Sequence, residues 1–276
     1  MSTTFNVKKS KTKLDFIRLY ENLKQGNSDV KMEQRNEKLW FFWVEKQSTR
    51  GVEVSIEKNG YELRNTFLSN KADYQLSNKI MAGVIEQTDG TIYIEERKKL
   101  TTTNIYSEEN ILSNFKDDAK VLLIILKKMQ DMTIDGPVRE THFGPRIYNT
   151  LEGYSENIEL LSNEVESIIL NCQYVYPSAE GDNIMRVNKD EKDFLMKVIS
   201  RQGDKVIGKY DYLLFYVTKD IPPIMITNQI LNQNLPETWD LLDEYTVSAP
   251  ELDETQWNNL LKEVEQFDLI EQFNRK

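Results

Sequence analysis

Hydrophobic positions along this chain switch between a period of two and a period of three to four, and the switches delimit its elements. Val52, Val54 and Ile56 alternate with Glu53, Ser55 and Glu57, and Tyr61, Leu63, Asn65 and Phe67 resume the alternation beyond Asn59-Gly60. A period of two places successive side chains on opposite faces of a strand, and Asn-Gly favours a type I′ hairpin turn. Immediately before lies Leu39-Trp40-Phe41-Phe42-Trp43-Val44, bulky at every position. A strand with two apolar faces belongs in the middle of its sheet, between a helical layer and a second cover. Residues 38–67 therefore predict a three-stranded antiparallel meander.

Helical spacing flanks the meander. Before it, a strand over 3–7 and the basic loop Lys8-Lys9-Ser10-Lys11 lead to a short helix with Leu14, Ile17, Tyr20 and Leu23 at spacing three; 25–37 is polar and reads as loop. After it, Asn70 caps a helix over 71–87 with Ala72, Leu76, Ile80 and Val84 at spacings of four, and Thr88-Asp89-Gly90 stops it before a strand at 92–94. Ser107 caps the strongest helix, 108–130. Its stripe is Ile111, Phe115, Ala119, Leu122, Leu126 and Met129, and its acidic first turn, Glu108-Glu109, suits the positive helix end. This helix is expected to pack on the sheet.

Periodicity is lost over 133–152, which holds Asp135-Gly136-Pro137 and Gly144-Pro145. Long irregular stretches are connectors or functional loops. A helix over 156–172 follows, with Ile158, Leu161, Val165, Ile168 and Cys172 as its buried stripe, then a short strand at 174–176 and a loop at 177–182. Asn188 and Glu191 have capping-box spacing, predicting a helix that carries Phe194, Leu195, Val198 and Ile199. Strands are expected at 210–217 and, after Pro222-Pro223, at 224–226. A short helix should start at Pro236, and a last helix should span 254–273. Hairpins mixed with helices predict an α+β fold: an antiparallel meander with packed helices in the N-terminal half, and mixed helices and short strands in the C-terminal half. The expected organisation is a domain at 1–135, a connecting segment at 136–149 and a helix-rich domain at 150–276, with one continuous domain as the alternative.

Composition narrows the chemistry more than the architecture. The chain of 276 residues has one histidine, His142, and one cysteine, Cys172. Imidazole and thiolate supply most bases, nucleophiles and soft metal ligands, so a Cys/His zinc site is short of ligands and any triad must use His142. Glycine phosphate loops and the kinase, α/β-hydrolase, zincin and calcium-loop signatures are missing. The balance leans against an enzyme, and no cofactor or metal site is expected. A lone cysteine fits a reducing compartment, and the most apolar run, 121–126, is far below the roughly 20 residues of a membrane span, so a cytoplasmic protein with no membrane partner is expected.

Net charge is −10 but unevenly placed. Residues 1–50 carry 11 Lys and Arg against 6 Asp and Glu, whereas 231–276 carry 3 against 11. An acidic whole repels phosphate backbones, so nucleic acid is an unfavourable partner, while the basic start suits an acidic one. The plainer reading of these charge runs is a solvated surface.

Three candidate sites stand beside plainer alternatives. Arg139, His142 and Arg146 cluster in an irregular segment with Glu140 and could hold a small anion or nucleotide; the alternative is a connector whose His bonds locally. Trp40 to Trp43, with Lys8, Lys9, Lys11 and Lys13, could stack and attract a single nucleic-acid strand; the alternative is aromatic packing into two layers. Asp117-Asp118 and Glu95-Glu96 are acidic pairs that read as solvated faces, and Cys172 reads as a small core hydrophobe. The expectation is a non-enzymatic bacterial or phage protein of the immunity, inhibitor or accessory type that binds another protein. An anion-binding protein or enzyme using the His142 loop, and a nucleic-acid-associated protein using the basic aromatic start, are the alternatives.

Overall fold

The structure, a computed structural model, describes residues 3–8, 12–94, 98–99, 106–175, 183–218 and 221–275. The chain divides into two compact units, Met1–Gln173 and Tyr174–Lys276. Both are α+β.

The first unit runs β1 (Thr3–Lys8), α1 (Phe16–Gly26), β2 (Val30–Gln34), β3 (Leu39–Val44), β4 (Val52–Glu57), β5 (Gly60–Asn65), α2 (Lys71–Thr88), β6 (Thr91–Ile94), β7 (Lys98–Lys99), α3 (Glu108–Met129), β8 (Met132–Asp135), β9 (Glu140–Phe143), α4 (Pro145–Glu152) and α5 (Ile158–Tyr174). Strands β1 to β7 form one sheet in the order β2-β3-β4-β5-β1-β6-β7, antiparallel at every pairing. The chain thus closes its meander by laying β1 between β5 and β6. The bulky strand β3 is next to the edge strand β2 and not central, because 30–34, read as loop, pairs with it. The hairpin loop is Lys58-Asn59, one residue earlier than expected. Neither residue has positive φ, so the turn is not type I′, and Gly60 opens β5 with φ +151°.

Helices α1 and α2 cover one face of the sheet, where Phe5, Val7, Phe42, Val52, Val54 and Leu63 meet Leu19, Leu76, Ile80 and Val84. Asn70 caps α2 as expected and shares a capping box with Asp73. In α1 the buried side chains are Phe16, Leu19 and Leu23, whereas Ile17 is 53% exposed. A strict spacing of three drifts around a helix; steps of three and four together keep to one face.

Helix α3 has the expected cap and bounds. Only Ile111 of its stripe joins the sheet core; Phe115, Ala119, Leu122 and Leu126 build a second core with the β8–β9 hairpin, α4 and α5. Met129 is 67% exposed. Asp118, expected on a solvated face, is buried and accepts the Leu68 backbone N–H at 2.8 Å. Residues 136–149 form the hairpin turn, β9 and part of α4 within this unit. Glu95-Glu96 lie outside the described residues.

The second unit comprises β10 (Ile184–Lys189), β11 (Lys192–Ile199), β12 (Lys205–Ile207), β13 (Tyr212–Phe215), β14 (Ile224–Ile226), α6 (Asn228–Gln233), β15 (Asp240–Leu241), β16 (Val247–Ala249), α7 (Glu254–Glu265) and α8 (Ile270–Arg275). One sheet is β10-β11-β13-β14, with β11 and β13 parallel, and another is β12-β16-β15. Alternation along β13 splits the cores: Leu213 and Phe215 face Trp239, Trp257 and Val264, and Leu214 faces Met196 and Met225. The helix expected behind Asn188 is instead the β10–β11 hairpin. Asp190 and Glu191 have φ of 50° and 62°, and the Asn188 side-chain amide donates to Asp193 and not to a helix start. Apolar pairs at 194–195 and 198–199 fit a helix and a strand equally in a short window, and pairing with β13 decides between them. No helix starts at Pro236, and the expected last helix is two, α7 and α8. Among the described residues no helix is long and apolar enough to cross a membrane.

Candidate functional site

The first unit carries an open groove of about 860 Å³ at one end of the sheet. It is bordered by Lys8 of β1, the approach to α1 (Thr12, Lys13, Leu14), Trp40 of β3 and the β4–β5 turn through Tyr61, with Tyr93 on β6. Local packing sets each side chain. Trp40 stacks on Phe16 with ring centroids 4.7 Å apart and planes 9° apart, and Phe16 meets Tyr61 edge-on at 6.2 Å. The Tyr61 hydroxyl accepts the Leu14 backbone N–H at 2.7 Å. Gln87, at the end of α2, holds the approach to α1: its carbonyl accepts from the Thr12 hydroxyl and its side-chain oxygen from the Asp15 backbone N–H. Lys8 Nζ lies 5.7 Å from the centre of the Tyr93 ring.

Gly60 makes the corner. A Cβ there would lie 1.8 Å from the Val7 carbonyl oxygen, so only glycine lets the turn close on β1. The charged lining is Lys8, Lys13 and Lys58 against Glu37 and Glu57, a local excess of positive charge in a chain of net −10. Aromatic and apolar walls bordered by lysines suit a ligand with both apolar groups and negative charge.

Of the basic and aromatic residues nominated from the sequence, Lys8, Lys13 and Trp40 line this groove. Lys9 and Lys11 lie outside the described residues, and Trp43 packs beside Phe41 at 5.5 Å. Lys58, Tyr61 and Tyr93 were not nominated. They join the groove through pairing of β1 with β5 and β6, which local periodicity does not encode.

The segment 139–146 is built differently. His142 is buried in β9; its Nδ1 is 2.9 Å from Thr133 Oγ1 and its Nε2 3.7 Å from Glu140 Oε2. Arg139 is buried and its Nη1 donates to the Cys172 carbonyl at 2.6 Å. Arg146 is exposed on the first turn of α4. Gln173, fully buried at the end of α5, accepts from the backbone N–H groups of Val138 and Arg139 and donates to Thr141 Oγ1. The buried Cys172 thiol donates to the Glu140 carbonyl. The end of α5 thus clamps the hairpin turn, and a Cβ on Gly136 would overlap the Gln173 carboxamide. Among the described residues no group of three or more His, Cys, Asp or Glu side chains is placed to hold a metal ion.

Fold and groove together define an α+β protein whose first unit carries a basic, aromatic-walled groove on a seven-stranded antiparallel sheet. The chain belongs to the family described as a domain of unknown function, DUF4299, whose model matches residues 2–179 and so includes every residue of the groove. No curated protein and no solved structure matches it.

Proposed function

We propose that this protein is a non-enzymatic binding protein that takes an acidic segment of another protein into the groove of its first unit. The observation that carries this reading is the groove itself: Trp40, Phe16, Tyr61 and Tyr93 beside Lys8, Lys13 and Lys58. The aromatic walls supply contact area at low entropic cost, and the lysines select for acidic residues. Lysine charges on a partly solvated rim contribute more to steering and specificity than to affinity, so binding should weaken with salt. The role is of an immunity, inhibitor or accessory kind, in a bacterial or phage-derived cytoplasmic setting; the single, buried cysteine is consistent with a reducing compartment.

The test is a binding screen of the full chain against a peptide library rich in Asp and Glu with one Phe or Trp per peptide, followed by titration of the best peptide. Lys13→Glu combined with Lys58→Glu changes two exposed side chains and should weaken binding at least tenfold, at unchanged melting temperature. A single-stranded oligonucleotide is titrated in parallel. Tighter binding of the oligonucleotide, or peptide binding indifferent to the double variant, would overturn the proposal.

A further inference from the structure

Along β3 the side chains alternate, so Phe41 faces away from the core that holds Phe42 and the helices. On that far face the first unit has a small cavity of about 150 Å³, lined by Arg35, Arg50, Arg64, Phe41, Gly51, Glu53, Thr66, Asp135 and Gly136. We propose that Arg35, Arg50 and Arg64 form a binding site for one tetrahedral oxyanion, such as a phosphoryl group. This site is distinct from the groove and does not depend on it.

Arg50 is fixed at both its backbone and its side chain. Its backbone is held by Asp73, a fully buried carboxylate at the start of α2, which accepts the N–H groups of Arg50 at 3.0 Å, Gly51 at 2.9 Å and Asn70 at 3.1 Å. Its side chain is then oriented by one bond, from Nε to Thr66 Oγ1 at 3.1 Å. The neighbouring Nη1 is closed off from solvent and has no hydrogen-bond partner. A guanidinium nitrogen shielded from water without an acceptor is costly, so a small shift of the Arg50 side chain that brings it to an anion in the cavity would offset that cost. Burial is the main influence on this group and lowers its pKa, against the raising effects of Asp135, Asp73 and Glu53.

The other two arginines are placed but not used up. The Arg35 guanidinium lies 3.7 Å over the Phe41 ring, which fixes its plane. Its Nε is 3.7 Å from Glu33, and Arg64 Nη1 is 3.7 Å from Glu53; both pairs are longer than a hydrogen bond. Guanidinium groups offer five donors in a rigid fork that matches oxyanion geometry. Glu53 and Asp135 also line the cavity, and Glu33 and Asp73 lie beside Arg35 and Arg50, so an anion is selected by the fixed guanidinium donors and not by an excess of charge.

The surrounding backbone shapes the cavity to this size. Gly51 has φ +70°, and a Cβ there would meet the Phe41 ring at 2.5 Å and the Phe42 carbonyl at 2.7 Å. Glycine therefore permits Arg50 and Phe41 to share one wall. Asp135 and Gly136 complete the lining, and their turn is held by Gln173, which accepts the N–H groups of Val138 and Arg139. The volume is about five times the ~30 Å³ that a liquid water occupies, which suits one phosphoryl group with little water.

The experiment is calorimetric titration of the full chain with inorganic phosphate, sulfate, acetate and phenyl phosphate at constant ionic strength. Phosphate and sulfate should bind one-to-one with Kd of about 1 mM or tighter, and acetate at least tenfold more weakly. Arg64→Gln, at a half-exposed position, should weaken phosphate at least tenfold without lowering the melting temperature, and Arg50→Gln should abolish binding. Because Arg50→Gln could disturb the fold, Arg64→Gln and Arg35→Gln decide the matter. Phenyl phosphate binding as tightly as phosphate assigns the site to a phosphoryl group on a larger molecule, and weaker binding assigns it to the free ion; both uphold it. Absence of saturable binding, phosphate binding that survives Arg64→Gln and Arg35→Gln, or acetate binding equal to phosphate would overturn the proposal.

Discussion

Replacing Gly60 with alanine tests whether the corner of the groove needs glycine for the reason given. The added Cβ would lie 1.8 Å from the Val7 carbonyl oxygen, 2.9 Å from its carbon and 3.3 Å from Lys8 Cα. All three are backbone atoms, so no side-chain rotation relieves the overlap. The residue also sits at φ +151°, where an L side chain costs about 1–3 kcal/mol in strain. Relief requires β1 and β5 to separate near the Lys8–Gly60 pair, at roughly 1 kcal/mol for each ladder hydrogen bond broken. The total is about 2–4 kcal/mol, which in a unit of this size lowers the melting temperature by roughly 5–15 °C. Gly26→Ala is the matched control. Nothing lies within 4 Å of its Cβ, so it should be neutral or stabilise by about 0.4–1 kcal/mol through the unfolded chain. The assay is thermal unfolding of both variants by calorimetry. A Gly60→Ala protein that melts within about 2 °C of the parent would refute the reasoning.

Gln173→Ala leaves the partly buried N–H of Val138 and the buried N–H of Arg139 without acceptors and should cost about 2–4 kcal/mol, read by faster hydrogen exchange at 138–141 together with a lower melting temperature. Asp73→Ala removes the acceptor of three backbone N–H groups and should destabilise by about 3–6 kcal/mol, measured by urea unfolding. Burial raises the Asp73 carboxyl above its ordinary value, against opposing hydrogen bonds from Ser48, Arg50, Asn70 and Thr49. Its folded pKa therefore exceeds the unfolded one, so the cost of its charge is present above the folded value and relieved as pH falls. Measured against Asp73→Asn, the parent should gain stability on acidification towards the unfolded carboxyl range, and a constant difference between the two across that range would contradict this.

Strong local signals survived folding. The alternation of 52–67, the spacing of four from Ala72 to Val84 and the caps Asn70 and Ser107 all describe what a short stretch does with its own hydrogen bonds and one apolar face. Signals that rest on distant partners did not. Asn188 and Glu191 have the spacing of a cap, but β11 gains a parallel partner in β13, and that pairing outweighs a weak local preference. Polar 30–34 becomes a strand because β3 offers it an edge. The candidate sites divide the same way. Lys8, Lys13 and Trp40 were legible as basic and aromatic types, whereas Lys58, Tyr61 and Tyr93 reach the same groove through strand order.

By itself, then, the sequence determined the α+β class, most of the meander, the two principal helices of the first unit and the scarcity of imidazole and thiol, since each depends on residue type and short-range spacing. Only the tertiary structure decided that Asp73 and Asp118 are buried acceptors, that His142 and Arg139 face the interior, and that three arginines spaced along 35–64 surround one cavity. The physical reason is that burial and electrostatic surroundings come from chain segments dozens of residues apart, brought together by strand pairing and core packing that no local window contains.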